Sequence, residues 1–241
     1  MLKSLTLQNF KSFVSQKIDF KPLTILSGIN CSGKSSVIEA ISLLYDKSLA
    51  SARGMRLNDG SMDLKRIKSF LSRDQFYCIS ADWNENINKL KVSLSDSNAN
   101  VSFSGVRFNE NDLQLLLASR IGPQDSYQMN LNSDVPYLDR LGESVFDYIE
   151  KMNGKPEKFP VQPKLKRNEQ VSFKDNVSEW LKIISPNSDL AYELSKDRLN
   201  AFVTYGGVPA RESGFGLSFT IPVIAALLDP TKNTLIIENS E

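Results

Sequence analysis

The sequence contains no histidine at all. That absence excludes Ser-His and Cys-His nucleophilic catalysis, and histidine-ligated metals, within this chain. Cysteine is nearly absent too. Cys31 and Cys78 are the only two, too few for a disulfide framework. No excess of one charge exists: 29 basic residues face 28 acidic ones, for a formal net charge of +1. Nucleic-acid binding is therefore not announced by overall charge, although local patches remain open to it. Long apolar runs are missing as well. Ile221 to Leu228 is the longest, far short of the ~20 residues that a membrane span requires. The opening Met1-Leu2-Lys3-Ser4 reads as the beginning of a strand and not as a secretory signal. These absences point to a cytoplasmic protein with no membrane partner.

What is present is enough apolar residue for one large core or two small ones: 41% of 241 residues. The most informative stretch is Gly28-Ile29-Asn30-Cys31-Ser32-Gly33-Lys34-Ser35-Ser36. It fits G-x-x-x-x-G-K-[ST], a phosphate-binding loop. An apolar run, Leu23 to Leu26, precedes it, and a helix-like run, Ser36 to Leu44, follows. That is the strand–loop–helix setting the motif requires. Glycines let the backbone curl so that N–H groups point inward, and the helix adds the positive end of its dipole. Lys34 is suited to the β- and γ-phosphates, and the Ser35 hydroxyl to Mg²⁺. Cys31 inside the loop suits a reducing compartment.

In chain order, Leu5 and Leu7 alternate with polar residues and predict a strand over 2–10; Gln16 to Phe20 predicts a second, and Leu23 to Leu26 a third. The helix after the loop is apolar over most of its surface, as a helix buried against a sheet should be. Residues 46–75 carry Arg53, Arg56, Lys65, Arg66 and Lys68. They form either a basic lip near phosphate or DNA, or an ordinary solvated face. Gln75 to Trp83 and Lys89 to Leu94 read as paired antiparallel strands, with Val101 to Phe108 beside them. Residues 113–123 read as a buried strand ending in Arg120-Ile121-Gly122-Pro123. Arg120 belongs either to a site or to a salt bridge at the sheet rim. Apolar spacing predicts helices over 141–152 and from Phe173 through Ile184, around a Pro-rich loop over 153–170. Trp180 is expected to be core. Ala201 to Tyr205 predicts a strand, and a helix containing Pro222 follows through Leu228.

Two C-terminal features narrow the function. Thr234-Leu235-Ile236-Ile237-Glu238 is an apolar strand ending in a carboxylate, the Walker B arrangement that places an acid on Mg²⁺ opposite Ser35. Ser213-Gly214-Phe215-Gly216-Leu217-Ser218 lies at the start of a helix. It is either an anion-binding turn or a flexible glycine turn.

The order of these parts resembles ABC-type ATPase heads, and more narrowly the SMC/RecF/OLD branch. The opening Leu5-Thr6-Leu7-Gln8-Asn9-Phe10-Lys11-Ser12-Phe13 looks like the start of that branch. Ser119-Arg120-Ile121-Gly122-Pro123, Leu141-Gly142-Glu143, Gly214 to Ser218 followed by Ile221-Pro222-Val223-Ile224, and Leu235 to Glu241 are similar to OLD-like ATPases of bacterial defence loci. The Septu and retron-associated ATPases are among them. The resemblance implies an α/β P-loop NTPase head with a mixed sheet, added antiparallel strands and a helical subdomain. In that scheme 1–140 and 196–241 form one nucleotide-binding core and 141–195 a helical insertion. It implies ATP and Mg²⁺ as cofactors, bound between two copies in a head-to-tail dimer. Carried over residue by residue, Asn30, Cys31, Ser32, Gly33, Lys34, Ser35 and Ser36 hold phosphate. Glu238 joins Ser35 at the metal, and Ser213, Gly214, Gly216 and Ser218 face the partner copy's γ-phosphate.

The chain departs from the branch in three places. Asn239 falls where many such ATPases have the catalytic glutamate, so that Glu241 is the compensating acid. Ser240 replaces a proline, and the histidine that senses the γ-phosphate is missing. A head that stops short of its last motif is the expectation that follows. Four functions remain open: a defence ATPase controlling a nuclease effector, a RecF-like DNA repair ATPase, a transporter's cytosolic subunit, and a scaffold that binds ATP without hydrolysing it. Against the transporter, no clear Leu-Ser-Gly-Gly-Gln run is present.

Overall fold

The computed structural model describes residues 1–45, 55–57, 60–62, 64–83, 85–95, 99–106, 112–130, 132–154, 161–167 and 172–239. In chain order the elements are β1 (Leu2–Phe10), β2 (Phe13–Asp19), α1 (Lys34–Tyr45), β3 (Met55–Leu57), β4 (Gly60–Met62), α2 (Leu64–Ile67), β5 (Phe76–Trp83), β6 (Asn86–Leu94) and β7 (Ala99–Ser104). They continue as β8 (Leu113–Leu116), β9 (Tyr127–Gln128), α3 (Val145–Gly154), α4 (Phe173–Ile184), β10 (Leu190–Leu194), β11 (Asn200–Tyr205), β12 (Val208–Pro209), α5 (Phe215–Leu228) and β13 (Thr234–Ile237). The chain divides into two compact units, Met1–Glu110 and Asn111–Glu241.

The first unit is built on an antiparallel sheet of order β2-β1-β5-β6-β7. Period-two patterning explains it. In β1, Leu5 and Leu7 are fully buried, opposite Ala81 and Ile79 of β5. In β6, Leu90 and Val92 are fully buried while Lys89 and Lys91, which alternate with them, are exposed. The helix α1 buries Val37, Ala40, Ile41, Leu43 and Leu44, and Tyr45 meets Trp83 edge-on.

The predicted strand over Leu23 to Leu26 is corrected. Those residues belong to no strand, and Leu23 and Ile25 are each 81% exposed. Apolar character alone does not make a strand. Its N–H and C=O groups need a ladder partner, and none is present among the described residues.

The second unit combines the parallel pair β8–β13 with an antiparallel set in which β11 pairs β10, β12 and β9. Its core gathers Phe146, Tyr148 and Ile149 of α3, Val177 and Leu181 of α4, and Ile221 and Ala225 of α5. The helix α3 begins at Val145, later than apolar spacing suggests. Asp139 accepts from the backbone N–H groups of Leu141 and Ser144 and shapes a turn there. Within that turn Gly142 has φ +79°, and a Cβ on it would lie 2.8 Å from Pro222 Cγ. Pro222 therefore sits inside α5 against a position that only glycine fills. Ser172 and Asp175 form a capping box that starts α4. Trp180 packs half-buried against the core, as expected, and its Nε1 donates to the Leu165 carbonyl at 2.7 Å. Both cysteines are free. Among the described residues, no helix is long and apolar enough to cross a membrane.

Candidate functional site

The phosphate loop lies in the first unit and lines a cavity of about 440 Å³, within the range of small-molecule sites. Asn30, Cys31, Gly33, Lys34, Ser35 and Ser36 form one wall. The helix α1 starts at Lys34, so its N-terminal N–H groups belong to the loop. Inside the loop Cys31 has φ +64° and Gly33 φ +99°. Ser32 does not line the cavity; its N–H donates to the Ile29 carbonyl at 3.2 Å, which tightens the turn. The Lys34 Nζ folds back onto the carbonyls of Gly28 and Ile29. The backbone thus holds the ammonium over the loop.

The rest of the lining comes from residues whose place the spacing did not give: Lys11, Ser12, Arg66, Lys68 and Phe70. The end of β1 explains how they arrive. Asn9 and Lys11 take left-handed φ values of 52° and 47°, on either side of a fully buried Phe10. Phe10 packs edge-on against Tyr77 at 6.0 Å. The kink frees backbone groups that bind another segment. The Lys11 N–H donates to the Ile67 carbonyl, and the Ser69 N–H donates to the Asn9 carbonyl, both at 2.7 Å. Buried Asn9 also donates through Nδ2 to Asp74 at 3.0 Å. Residues 66–70 are stitched to the end of β1 in this way.

Phe13 completes the link to the loop. A Cβ on Gly33 would lie 2.6 Å from the Phe13 ring and 3.2 Å from Ser12 Oγ. Glycine at 33 therefore answers a close approach as well as a positive φ.

Among the described residues, four cations line this cavity and no carboxylate does. Lys11 is paired with Glu39 of α1, and Lys68 donates to the carbonyls of Ser69 and Ser72. Arg66 is exposed at the rim. Of the basic stretch, Arg66 and Lys68 line the cavity. Arg53 lies outside the described residues. A cationic cavity at a helix N-terminus, with no Cβ on its nearest glycine, fits a polyphosphate.

The remaining candidates lie in the second unit. Glu238 follows β13 directly, half-buried, and its N–H donates to the Leu116 carbonyl at 2.8 Å. Arg120 is buried beside it and donates to the Glu238 carbonyl and to Asn239. No ion pair holds Arg120 among the described residues; backbone and amide acceptors take that place. Gly214 caps α5 without a side-chain bond, and Gly214 to Gly216 are exposed. Ser213 donates through Oγ to the Pro209 carbonyl. Ser218 points into the core and shares a 3.3 Å hydrogen bond with Tyr205, so the exposed part of this stretch ends before it. Glu241 and Ser240 lie outside the described residues. No group of three or more Cys, Asp or Glu that could hold a metal occurs among the described residues.

Comparison with known proteins gives a family. The sequence profile described as "AAA ATPase domain" matches residues 1–203. No curated protein matches. Solved structures of the recombination mediator protein RecF of the RecFOR pathway are similar over the whole chain. The form described as RecF-ATP has 13% identity and a TM-score of 0.42, with 92% of that chain covered. The form described as RecF-ATPrS has 14% identity and a TM-score of 0.43, with 93% covered. The family match spans most of the chain, every residue lining the phosphate-loop cavity included, and the chain belongs to the AAA ATPase domain family.

Proposed function

We propose that the chain is an ATP-binding and ATP-hydrolysing head of the OLD/SMC-like kind, one core over 1–140 and 196–241 with a helical insertion over 141–195. The cationic cavity around the phosphate loop is the observation that carries this reading. Lys34 leaves the carbonyls of Gly28 and Ile29 for the phosphates, a charge-assisted exchange that favours the ligand. The N–H groups at the start of α1 hold the phosphate oxygens. Lys11, Arg66 and Lys68 add counter-charge. The Ser35 hydroxyl would offer an oxygen to Mg²⁺, which would screen the triphosphate, and the Glu238 carboxylate is the second candidate ligand.

Two heads close head-to-tail around Mg·ATP, with Ser213, Gly214 and Gly216 of each facing the other's γ-phosphate and Ser218 supporting them from the core. Glu238, or Glu241, activates the attacking water. Opening and closing of the dimer controls a nuclease or DNA-related effector in the cytoplasm, in anti-phage defence. A second reading, a scaffold that binds ATP without turning it over, is favoured by one observation. Asn239, at the position of the catalytic acid in many relatives, is an amide engaged by Arg120.

The test is titration of the purified chain with ATP, with and without Mg²⁺, read by calorimetry, sedimentation and phosphate release. ATP binding with a doubling of mass supports the head. No binding at millimolar ATP overturns the site, and binding without association overturns the dimer. Binding and association without phosphate release selects the scaffold.

A further inference from the structure

Phe70 differs in kind from the other residues around the phosphate loop. Among the described residues it is the one aromatic that lines the cavity, where every other lining side chain is cationic, small or polar. It is 86% exposed. A lone phenylalanine on an open surface needs no explanation. This one stands in a cavity built for phosphate.

The turn that carries Phe70 is tied down on both sides. Ser69 is fully buried, and its N–H donates to the Asn9 carbonyl at 2.7 Å. Its Oγ accepts from the Leu71 N–H at 3.3 Å, and its carbonyl accepts from the Ser72 N–H at 3.4 Å. Lys68 Nζ donates to the carbonyls of Ser69 and Ser72 at 3.1 and 2.5 Å. Further on, the Asp74 N–H donates to Ser72 Oγ at 3.2 Å, and the Asp74 carboxylate accepts from Asn9 Nδ2 at 3.0 Å. The backbone is therefore fixed while the ring is left in solvent. A ligand that uses such a ring loses little entropy in ordering it.

The lining groups divide by chemistry. Lys34, Arg66, Lys68 and the N–H groups that open α1 suit anionic oxygen. A nucleotide also carries a flat, uncharged base, and for that part only Phe70 offers a π-face. Base–aromatic stacking is the contact that face makes.

We propose that Phe70 is the base platform of this site: its exposed ring stacks on the nucleobase, so that the cavity takes nucleoside polyphosphates in preference to a bare polyphosphate chain. The inference rests on the phosphate-loop reading above and deepens it. Stacking asks only for a π-face, so the platform serves adenine and guanine alike.

The experiment measures the affinity of the full chain for ATP, GTP and inorganic tripolyphosphate, for wild type, Phe70→Ala, Phe70→Tyr and Leu71→Ala. The quantity read is the ratio of nucleotide to tripolyphosphate affinity, because a loss of folded protein lowers both alike. Phe70→Ala is expected to shrink that ratio about 10-fold, equally for ATP and GTP. Phe70→Tyr keeps the π-face and is expected to retain the ratio. Leu71 belongs to the same turn, is 60% exposed and stands outside the cavity lining, so Leu71→Ala is expected to leave the ratio as it is. An unchanged ratio in Phe70→Ala overturns the proposal. So does an equal fall in Leu71→Ala, which would assign the effect to the turn. A change in self-association with no change in ratio would assign Phe70 to a protein contact and overturn it as well. Wild type that binds neither ATP nor tripolyphosphate would remove the underlying site reading. Wild type that binds tripolyphosphate as tightly as ATP leaves the phosphate site standing and removes this inference only.

Discussion

The phosphate loop and the end of β13 handle positive charge in opposite ways. Around the loop, Lys34, Arg66 and Lys68 stand in an open cavity, tied at most to backbone carbonyls, and an arriving anion can exchange with those weak partners. At the end of β13, Arg120 is buried and donates from both Nη atoms. The first arrangement suits a charge that moves to a ligand. The second suits a charge that holds other groups still. Solvent makes the difference: exposed cations lose little by changing partners, while a buried one must keep the bonds that offset its desolvation.

The largest expected effect would break this comparison most directly. Lys34→Ala is expected to weaken ATP binding roughly 100-fold, about 3 kcal/mol, with the thermal midpoint unchanged. Unaltered affinity by calorimetry would refute the role given to the loop. Next is Gly33→Ala, which drives a Cβ against the Phe13 ring and is expected to cost about 2 kcal/mol of loop stability and affinity. Adding Phe13→Leu should restore part of the affinity. If it restores none, the close approach of Phe13 is not what requires glycine there.

A third variant sharpens the contrast from the second unit. The Tyr148 hydroxyl donates to buried Asp229 at 2.5 Å, and burial together with that carboxylate pushes the phenol well above its ordinary value. Tyr148→Phe is expected to cost about 1.5 kcal/mol in urea unfolding and to leave ATP affinity untouched. Loss of affinity in step with stability would blur the distinction between ligand-facing and framework polar groups.

The smallest effect concerns pH. Burial works against the Asp139 carboxylate, yet donors from Ser144, Leu141 and Glu143 hold its carboxyl below the usual range. A lowered folded value means that its stabilisation is complete above the unfolded value near pH 4 and is lost as pH falls through the folded value. Asp139→Asn is expected to lower stability by about 1 kcal/mol at pH 7. Its gap from wild type should close on acidification, as read from thermal midpoints between pH 7 and pH 3.

Local chemistry was legible along the chain. Gly33, Lys34 and Ser35 are readable as candidates because a phosphate loop works through its own backbone and the helix it starts. Alternation placed β1, β5 and β6 for the same reason: one buried face imposes period two. Leu23 to Leu26 misled, because a strand is a pairing and not a composition. Asn9 to Phe13 could be matched to a family but not explained. Their meaning lies in two left-handed residues and in bonds to Ile67 and Ser69, more than fifty positions away.

The sequence by itself determined a nucleotide-type loop, an acid-tipped apolar strand, and a chain in which histidine has no part. Folding alone decided that Lys11, Ser12 and Phe70 share the loop's cavity, that Ser218 turns inward, and that Arg120 grips the residues at the end of β13. Each of these is a contact between segments far apart in the chain. Spacing along a chain encodes only the period of the nearest element, whereas burial and hydrogen-bond partners are properties of the packed whole.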